Sequence, residues 1–368
     1  MLLASQAGAD ESLAKFEPKL KTAVRLEPNS FEANYNLGEL YLHAGRLQDG
    51  IPYMEKAQLL RPSHYESGYD LALAYLETRN YLKARQHIEA MLSRGDSAEL
   101  HILLADVEEA AGDYVQAAQE YQQAARMEPS EEHIFAWGSE LLSHQTYEPA
   151  MAVFTRGIEL FPQSAKLEAG LGITLYLRGS FEEAIKALCS ASDLNPTEAW
   201  PYLFLGKMYD SPSGKTDEVR KRLSRFAQLQ PKNPRALHYY AMSLWTREQD
   251  STADLLLVES LLRQAVALDP SFSDAHLHLG ILFMDERKNT EAIQEFRRAI
   301  ALQPNLTTAH YHLAQAYART GEKSRAEQEL QAFERFRKQD QADAERDRKE
   351  IRQFVIDMKE QPTGARSR

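Results

Sequence analysis

The chain has 368 residues, of which 43% are hydrophobic and 26% charged, a composition that is typical of a soluble protein. Its formal net charge of -11 and pI near 5.6 argue against nucleic acid or an anionic membrane as partner, because both require clustered Lys and Arg. The single cysteine, Cys189, excludes an intramolecular disulfide framework and a multi-cysteine metal site. No apolar run approaches the roughly 20 residues that cross a bilayer.

Residues 1–28 predict an N-terminal tail followed by a capping or half-repeat helix. Residues 1–9 (MLLASQAGA) are either the end of a trimmed secretory signal or a plain tail, and the missing basic start favours the tail. The localisation is therefore open between the cytoplasm and, if a signal was trimmed, the periplasm or the exterior. Residues 11–27 have the pattern of the second helix of a repeat without its first, so this helix caps the array or follows native sequence further upstream.

A recurring residue divides the chain into nine units of similar length. Proline, or aspartate in its place, recurs at steps of 34, 34, 33, 33, 34, 35, 39 and 34 residues. The positions are Pro28, Pro62, Asp96, Pro129, Pro162, Pro196, Pro231, Pro270 and Pro304. A nearly fixed period of this length is the signature of a repeat architecture.

Each unit also carries a pair similar to Leu-Gly, followed in most units by a bulky residue, a small residue and a large apolar residue at set intervals. In the eighth unit these are Leu279-Gly280, Phe283, Ala292 and Phe296, with proline closing the unit. Over residues 29–336 the pattern resembles the tetratricopeptide repeat of about 34 residues. The resemblance implies an all-α fold, a right-handed α-solenoid (superhelix) of helix-turn-helix repeats in which each pair covers the apolar face of its neighbour.

The predicted organisation has three parts after the N-terminal helix. Residues 29–198 form repeats one to five, and residues 199–336 form repeats six to nine. Extra residues around 211–215 and 248–253 make the repeats near 210–255 irregular, which predicts a kink or a boundary there.

Residues 337–368 predict a long charged helix and a loose tail. Four apolar residues form a stripe on this helix: Ile351, Phe354, Val355 and Met358. The stripe either caps the last repeat, which is the favoured alternative, or binds a partner.

Candidate catalytic and metal-binding motifs fail on spacing. Residues 214–216 (GKT) match the end of a phosphate-binding loop, but Tyr209 stands where that motif requires glycine. His276 and His278 are two residues apart on a predicted helix and so point in different directions. We therefore predict no catalytic residue, no metal site and no cofactor, and we expect that the protein is not an enzyme.

Helix geometry predicts which residues line the inner face of the array. Successive residues of an α-helix are rotated by 100°, so the leucine of the Leu-Gly pair fixes the direction of every other side chain on the first helix. In the first four repeats this face carries acids and neither Lys nor Arg: Glu32, Glu39, Glu66, Asp70, Glu77, Glu99, Asp106, Glu109 and Glu132. Glu32, Glu39, Asp70, Glu77 and Asp106 are the predicted partner-binding acids.

In the last five repeats the same face carries aromatic residues among mixed charges. The predicted partner-binding residues there are Trp200, Phe204, Tyr239, Trp245 and Tyr311. Packing between repeats does not require an indole on this face, so Trp200 and Trp245 are expected to be exposed anchors.

The sequence thus predicts a non-catalytic scaffold or adaptor that binds a peptide or a partner protein in a concave groove. Tyr35, Tyr69 and Ile102 stand where the first lysine of the basic clamp of chaperone-binding relatives would be sought. We therefore expect a partner with basic or aromatic segments, and neither nucleic acid nor membrane insertion. Two alternatives stay open: a regulatory or substrate-recruiting region of a larger enzyme, and a subunit of a bacterial secretion, pilus or outer-membrane assembly.

Overall fold

The computed structural model of the protein describes residues 15–209, 216–245 and 252–337. Every regular element in these ranges is an α-helix, and the helices follow each other in pairs, which confirms the predicted all-α repeat solenoid. The predicted irregular turn at 211–215 lies outside the described residues, as do most of the insertion around 248–253 and of the C-terminal segment. Among the described helices, none combines the length and the apolar character needed to span a membrane.

The first of two compact units contains residues 15–144 of the described chain. It begins with α1, residues 15–26, where Glu17 accepts a hydrogen bond of 2.8 Å from the hydroxyl of Tyr41 in the first repeat. The helices that follow are α2 (Phe31–His43), α3 (Leu47–Leu60), α4 (Tyr65–Glu77), α5 (Tyr81–Leu92), α6 (Ala98–Ala111), α7 (Tyr114–Met127) and α8 (Glu131–Ser143).

The second unit contains residues 145–337 of the described chain. Its helices are α9 (Tyr147–Leu160), α10 (Ala165–Arg178), α11 (Phe181–Leu194), α12 (Trp200–Met208), α13 (Asp217–Leu229), α14 (Pro234–Leu244), α15 (Thr252–Leu268), α16 (Ser273–Asp285), α17 (Asn289–Leu302), α18 (Thr307–Thr320) and α19 (Lys323–Arg337). The chain thus divides after His144. The division after residue 198 that the sequence suggested stays a prediction.

Short polar residues and glycines set where the helices begin and end. Before α6, the hydroxyl oxygen of Ser97 accepts a hydrogen bond of 3.3 Å from the backbone N–H of Leu100, which satisfies one of the free donors of the first turn. The same helix ends at Gly112, whose φ of 87° is favourable for glycine and unfavourable for residues with a Cβ atom. Ser164 and Gly179 delimit α10 in the same way.

The small residue of the Leu-Gly pair lets the two helices of a repeat approach closely. A Cβ atom on Gly280 of α16 would lie 2.6 Å from Cε1 of Phe296 on α17, whose side chain is 0% exposed. On Gly172 of α10 it would lie 2.7 Å from Cγ of Leu188 on α11. The spacing pattern of the sequence is therefore a packing pattern, in which each small residue makes room for the large one on the second helix.

Candidate partner-binding surfaces

The predicted acidic residues of the first unit lie on the first helices of successive repeats. Glu32 and Glu39 belong to α2, Asp70 and Glu77 to α4, and Asp106 to α6. The Glu32 and Glu77 side chains are exposed, whereas the other three are half-buried. Asp70 on α4 lies close enough to Glu39 on α2 for their charges to interact, which places these two residues between the first helices of adjacent repeats.

A basic residue that the helix geometry did not assign to this face neutralises one of the acids. Nη2 of Arg61, just after α3, lies 2.5 Å from Oε1 of Glu32. Both side chains are largely exposed, so the pair contributes little to stability. Glu39 lies 3.7 Å from Nε2 of His43, one turn further along α2.

Three carboxylates from two repeats meet around one tyrosine. Burial raises the pKa of Asp70, the negative charges of Glu39 and Glu66 raise it further, and His43 and His64 oppose the rise only in part. Burial also raises the pKa of Tyr35 to about 12, with Glu39, Asp70 and Glu66 adding to the rise. We call Glu39, Glu66 and Asp70 the acidic cluster. Like charges that lie this close together repel each other.

A second acidic group lies in the third and fourth repeats of the first unit. The hydroxyl of Tyr121 on α7 donates to Asp106 and lies 3.2 Å from Oε2 of Glu109. Burial, Asp106 and Glu109 together raise the pKa of Tyr121 well above 10. Glu140 on α8 is 2% exposed and lies 3.3 Å from Nε2 of His144. Asp106 is therefore held by the protein's own hydroxyl group and is less available to a partner than the acidic cluster.

Aromatic rings of the first unit lie beside its acids, and they are absent from the predicted partner-binding residues of that unit. Tyr35 and Tyr69 occupy equivalent positions of the first two repeats, and both are half-buried. Tyr65 is 38% exposed, stacks on Tyr69 with 6.0 Å between ring centroids, and donates a hydrogen bond of 2.6 Å to Glu99 on α6. The recurrence of tyrosine after 34 residues was the signal that could have revealed this mixed surface.

The expectation that Trp200 and Trp245 are exposed anchors is wrong. Trp200 is 8%, Phe204 6% and Trp245 7% exposed, so all three are core residues. Phe204 packs edge-on against Tyr176 of α10 with 5.7 Å between ring centroids. Large rings gain more from contact with the neighbouring helices than from exposure, because burial removes their apolar surface from water.

Of the five predicted aromatic residues, Tyr239 and Tyr311 retain access to solvent. Tyr239 is half-buried, and its ring packs closely on Gly206. A Cβ atom added to Gly206 would lie 2.4 Å from Cγ of Tyr239. Tyr311 on α18 is 39% exposed, with its ring 5.4 Å from that of Phe333. The aromatic surface of the second unit is therefore smaller than the sequence predicted.

The histidines of the last repeats make contacts within the fold. Nδ1 of His276 lies 2.6 Å from Oε2 of Glu295, and the equivalent His310 makes the same contact with Glu329 at 2.6 Å. Nε2 of His238 lies 3.0 Å from Nδ1 of His278. Among the side chains that the structure describes, no group of three or more His, Cys, Asp or Glu is arranged to hold a metal ion.

Stacked helix pairs with polar surfaces on their first helices define a class of proteins, the α-solenoid repeat scaffolds that interact with other proteins. A model of the tetratricopeptide repeat matches residues 17–64, 69–132 and 135–200, and a second model of this repeat matches residues 282–321. The chain belongs to the tetratricopeptide-repeat family. Its repeats indicate a protein–protein interaction scaffold, and proteins of this kind are generally non-catalytic.

Individual relatives are distant. The chain is 24% identical over 280 residues to the TPR repeat-containing protein YpiA of Bacillus subtilis (strain 168), which covers 75% of this chain and 65% of that protein. The chain thus spans less than two thirds of its relative's length. A tetratricopeptide repeat protein from Parabacteroides merdae ATCC 43184 has the same fold at a TM-score of 0.50 and 15% identity, covering 71% of this chain and 100% of the other. YrrB, described as a TPR protein with an unusual peptide-binding site, has a TM-score of 0.39 and 21% identity over 50% of this chain and 95% of its own.

Proposed function

We propose that the protein is a non-catalytic scaffold that binds a segment of a partner protein carrying Lys or Arg together with aromatic residues. The binding site is the surface of the first unit formed by the acidic cluster and the tyrosines beside it. The observation that carries the proposal is the position of Asp70, a half-buried carboxylate on α4 that interacts with Glu39 of the preceding repeat and with Glu66 one turn earlier on its own helix.

The physical argument starts from the cost of this arrangement. Three carboxylates that repel each other destabilise the free protein, and a partly buried one also loses hydration. A guanidinium or ammonium group from a partner relieves both costs, so it binds more favourably here than on an ordinary acidic helix. The negative charge further along the unit increases the rate of encounter with a basic segment.

The tyrosines add a contact of a different kind. Tyr65 presents 38% of its surface to solvent, and Tyr35 lies among the three acids. Tyrosine rings bind both apolar side chains and cations, and they contribute strongly to protein interfaces. The partner segment therefore combines a cation for the acidic cluster with an apolar or aromatic side chain for the rings. Tyr239 and Tyr311 offer a separate, smaller contact in the second unit.

Fluorescence anisotropy with two labelled 15-residue peptides tests the proposal. One peptide carries four Arg and two Phe, and in the other every Arg is replaced by Glu. The basic peptide is expected to bind and the acidic one not, with affinity that falls as the salt concentration rises. The double variant Glu39→Gln, Asp70→Asn is expected to weaken binding about tenfold, which corresponds to about 1.4 kcal/mol.

The control removes the same number of charges elsewhere. Glu182 and Glu183 are exposed on α11 in the second unit, so Glu182→Gln with Glu183→Gln tests the effect of net charge alone. An equal loss of affinity in both double variants would show that the peptide responds to overall charge, and the assignment of the acidic cluster as the site would then fail.

A further inference from the structure

Two histidines lie beside the carboxylates of the acidic cluster. Nε2 of His43, the last residue of α2, is 3.7 Å from Oε1 of Glu39. Nε2 of His64, the residue before α4, is 3.6 Å from Oε2 of Glu66. Each of these two carboxylates therefore has a neighbour whose charge depends on pH, because histidine is the side chain that changes its charge between about pH 5 and 8.

The same two histidines act on the third carboxylate of the cluster, that of Asp70. When they are charged they favour its ionisation, which is why they oppose the rise of its pKa that burial, Glu39 and Glu66 cause. The three acids and the two histidines thus form one electrostatic group. Its members come from α2, from the turn before α4 and from α4 itself.

The other groups around His64 keep their charge when the pH changes between 7.5 and 5.5. The rings of Phe31 and Tyr35 lie 4.7 and 5.3 Å from the imidazole, measured between centroids. Burial and the nearby carboxylates raise the pKa of Tyr35 to about 12, so its hydroxyl stays neutral. Arg61 lies over the Phe31 ring and is paired with Glu32. None of these groups offsets a change of charge at the histidines.

We propose that His43 and His64 make binding at the acidic cluster depend on pH, so that the basic partner segment binds at neutral pH and dissociates in mildly acidic solution. This inference rests on the proposed function, because it concerns the regulation of the same site. Uncharged histidines leave the three carboxylates to a cation of the partner. Charged histidines pair with Glu39 and Glu66 and leave one net negative charge on the five side chains instead of three. The attraction for a guanidinium or ammonium group then becomes weaker.

Fluorescence anisotropy with the basic peptide, its termini blocked, tests the proposal at pH 7.5 and pH 5.5. The peptide keeps its charge over this range because arginine does not deprotonate. The unmodified chain is expected to bind it about tenfold more weakly at pH 5.5, and the double variant His43→Gln, His64→Asn less than about threefold more weakly. Asparagine replaces His64 because Nδ1 of this histidine accepts a hydrogen bond of 3.2 Å from the backbone N–H of Ser67, and an asparagine oxygen accepts the same bond.

The matched control replaces two half-buried histidines outside the acidic cluster by glutamine, His133 on α8 and His312 on α18. This variant should keep the full pH dependence of the unmodified chain. Equal pH dependence in the unmodified chain and in His43→Gln, His64→Asn would overturn this inference and leave the proposed function standing. Absence of peptide binding at pH 7.5 would instead refute the proposed function, and this inference with it.

A second measurement needs no variant. If protons and the peptide compete for the same site, binding must release protons. Isothermal titration calorimetry of the unmodified chain at pH 6.5, in two buffers of different ionisation enthalpy, measures this release. We expect about 0.5–1 proton per bound peptide. Binding heats that do not depend on the buffer would overturn the inference, because the histidines then keep the same charge in the free and the bound protein.

Discussion

Arg85 on α5 holds Glu108 on α6 in a two-pronged ion pair that joins the second and third repeats. Nε of Arg85 donates to Oε1 of Glu108 at 2.5 Å, and Nη2 donates to Oε2. Glu108 is 4% exposed and stands at a position where the first two repeats carry the bulky residues Tyr41 and Tyr75. A buried carboxylate is tolerated there because both of its oxygens are paired.

Removing one member of this pair is expected to be costly. Arg85→Ala leaves the buried Glu108 carboxylate without its cation and should lower the free energy of unfolding by about 3 kcal/mol, as measured by urea denaturation. Arg126→Ala, an exposed arginine on α7, is the control and should change stability by less than about 0.5 kcal/mol. The double variant Arg85→Met, Glu108→Leu should recover most of the loss, and failure to recover it would show that the pair is not the cause.

The close approach of helices at the Leu-Gly pair predicts a second effect. Gly280→Ala puts a methyl group 2.6 Å from the Phe296 ring, so the ring must shift and stability should fall by about 1–3 kcal/mol. Gly95→Ala is the matched control, since a Cβ atom there meets no atom within 4 Å. Its melting temperature should stay the same or rise slightly, because alanine restricts the unfolded chain. Equal melting temperatures for the two variants would contradict the packing argument.

The period of the sequence predicts this packing, because in each repeat a small residue on the first helix makes room for a large residue on the second. Gly280 and Phe296 stand in the spacing that also relates Gly172 to Leu188, and the structure brings both pairs into contact. Side-chain exposure was predicted less well. A helical rotation of 100° per residue from Tyr240, which takes the place of leucine in this repeat, predicts Trp245 on the inner face. However, α14 ends at Leu244, and Trp245 has an extended backbone with φ of -87° and ψ of 93°. The helical angle therefore does not apply to it.

The other errors arise from neighbours that a single helix does not reveal. Helical geometry predicts Phe204 on the inner face, but this position lies between the first helices of adjacent repeats, where its ring contacts that of Tyr176. The same geometry explains why Asp70, which holds the equivalent position in its repeat, is half-buried. The repeat pattern thus predicts which positions are equivalent. Whether such a position is exposed depends on the residues of the adjoining repeat, and these residues differ from repeat to repeat.

The buried His238 predicts a pH dependence of stability. Burial lowers its pKa well below 6.5, and the neighbouring His278 and Arg235 lower it further. Above pH 6.5 the ring is neutral in both states, so its contribution to stability is fully present there. As the pH falls below 6.5 the unfolded chain takes up a proton that the folded chain does not, and stability decreases.

His238→Phe should therefore reduce the loss of stability between pH 7 and pH 5, measured by urea denaturation at each pH. Phe272→Leu is the control, because it removes a ring 5.0 Å from that of His238 without removing a titratable group. It should lower stability by a similar amount at both pH values. If His238→Phe has the same pH dependence as the unmodified chain, the titration of His238 does not govern this part of the profile.

Asp70 and Asp193 predict opposite effects of the same chemical change. Burial together with Glu39 and Glu66 raises the pKa of Asp70, so its ionisation opposes folding as the pH rises above 3.8. Burial also acts on Asp193, but hydrogen bonds from Arg222 and Arg225 outweigh it and lower the pKa of this carboxyl. Ionised Asp193 therefore stabilises the fold above pH 3.8, and that stability is lost as the pH falls through its lowered pKa.

At pH 7, Asp70→Asn should raise the free energy of unfolding by about 0.5–1 kcal/mol, because it removes a charge that is both repelled and partly dehydrated. Asp193→Asn should lower it by a similar amount, since Nη2 atoms of two arginines, 2.5 and 2.9 Å from its oxygens, lose their ionic partner. Urea denaturation of both variants at pH 7 measures the two effects.

A residue that destabilises the free protein and stabilises a complex is typical of a binding site. An Asp70→Asn variant that is more stable and also binds the basic peptide more weakly would therefore support the proposed site. Destabilisation by Asp70→Asn would instead show that the carboxylate has a stabilising partner within the fold.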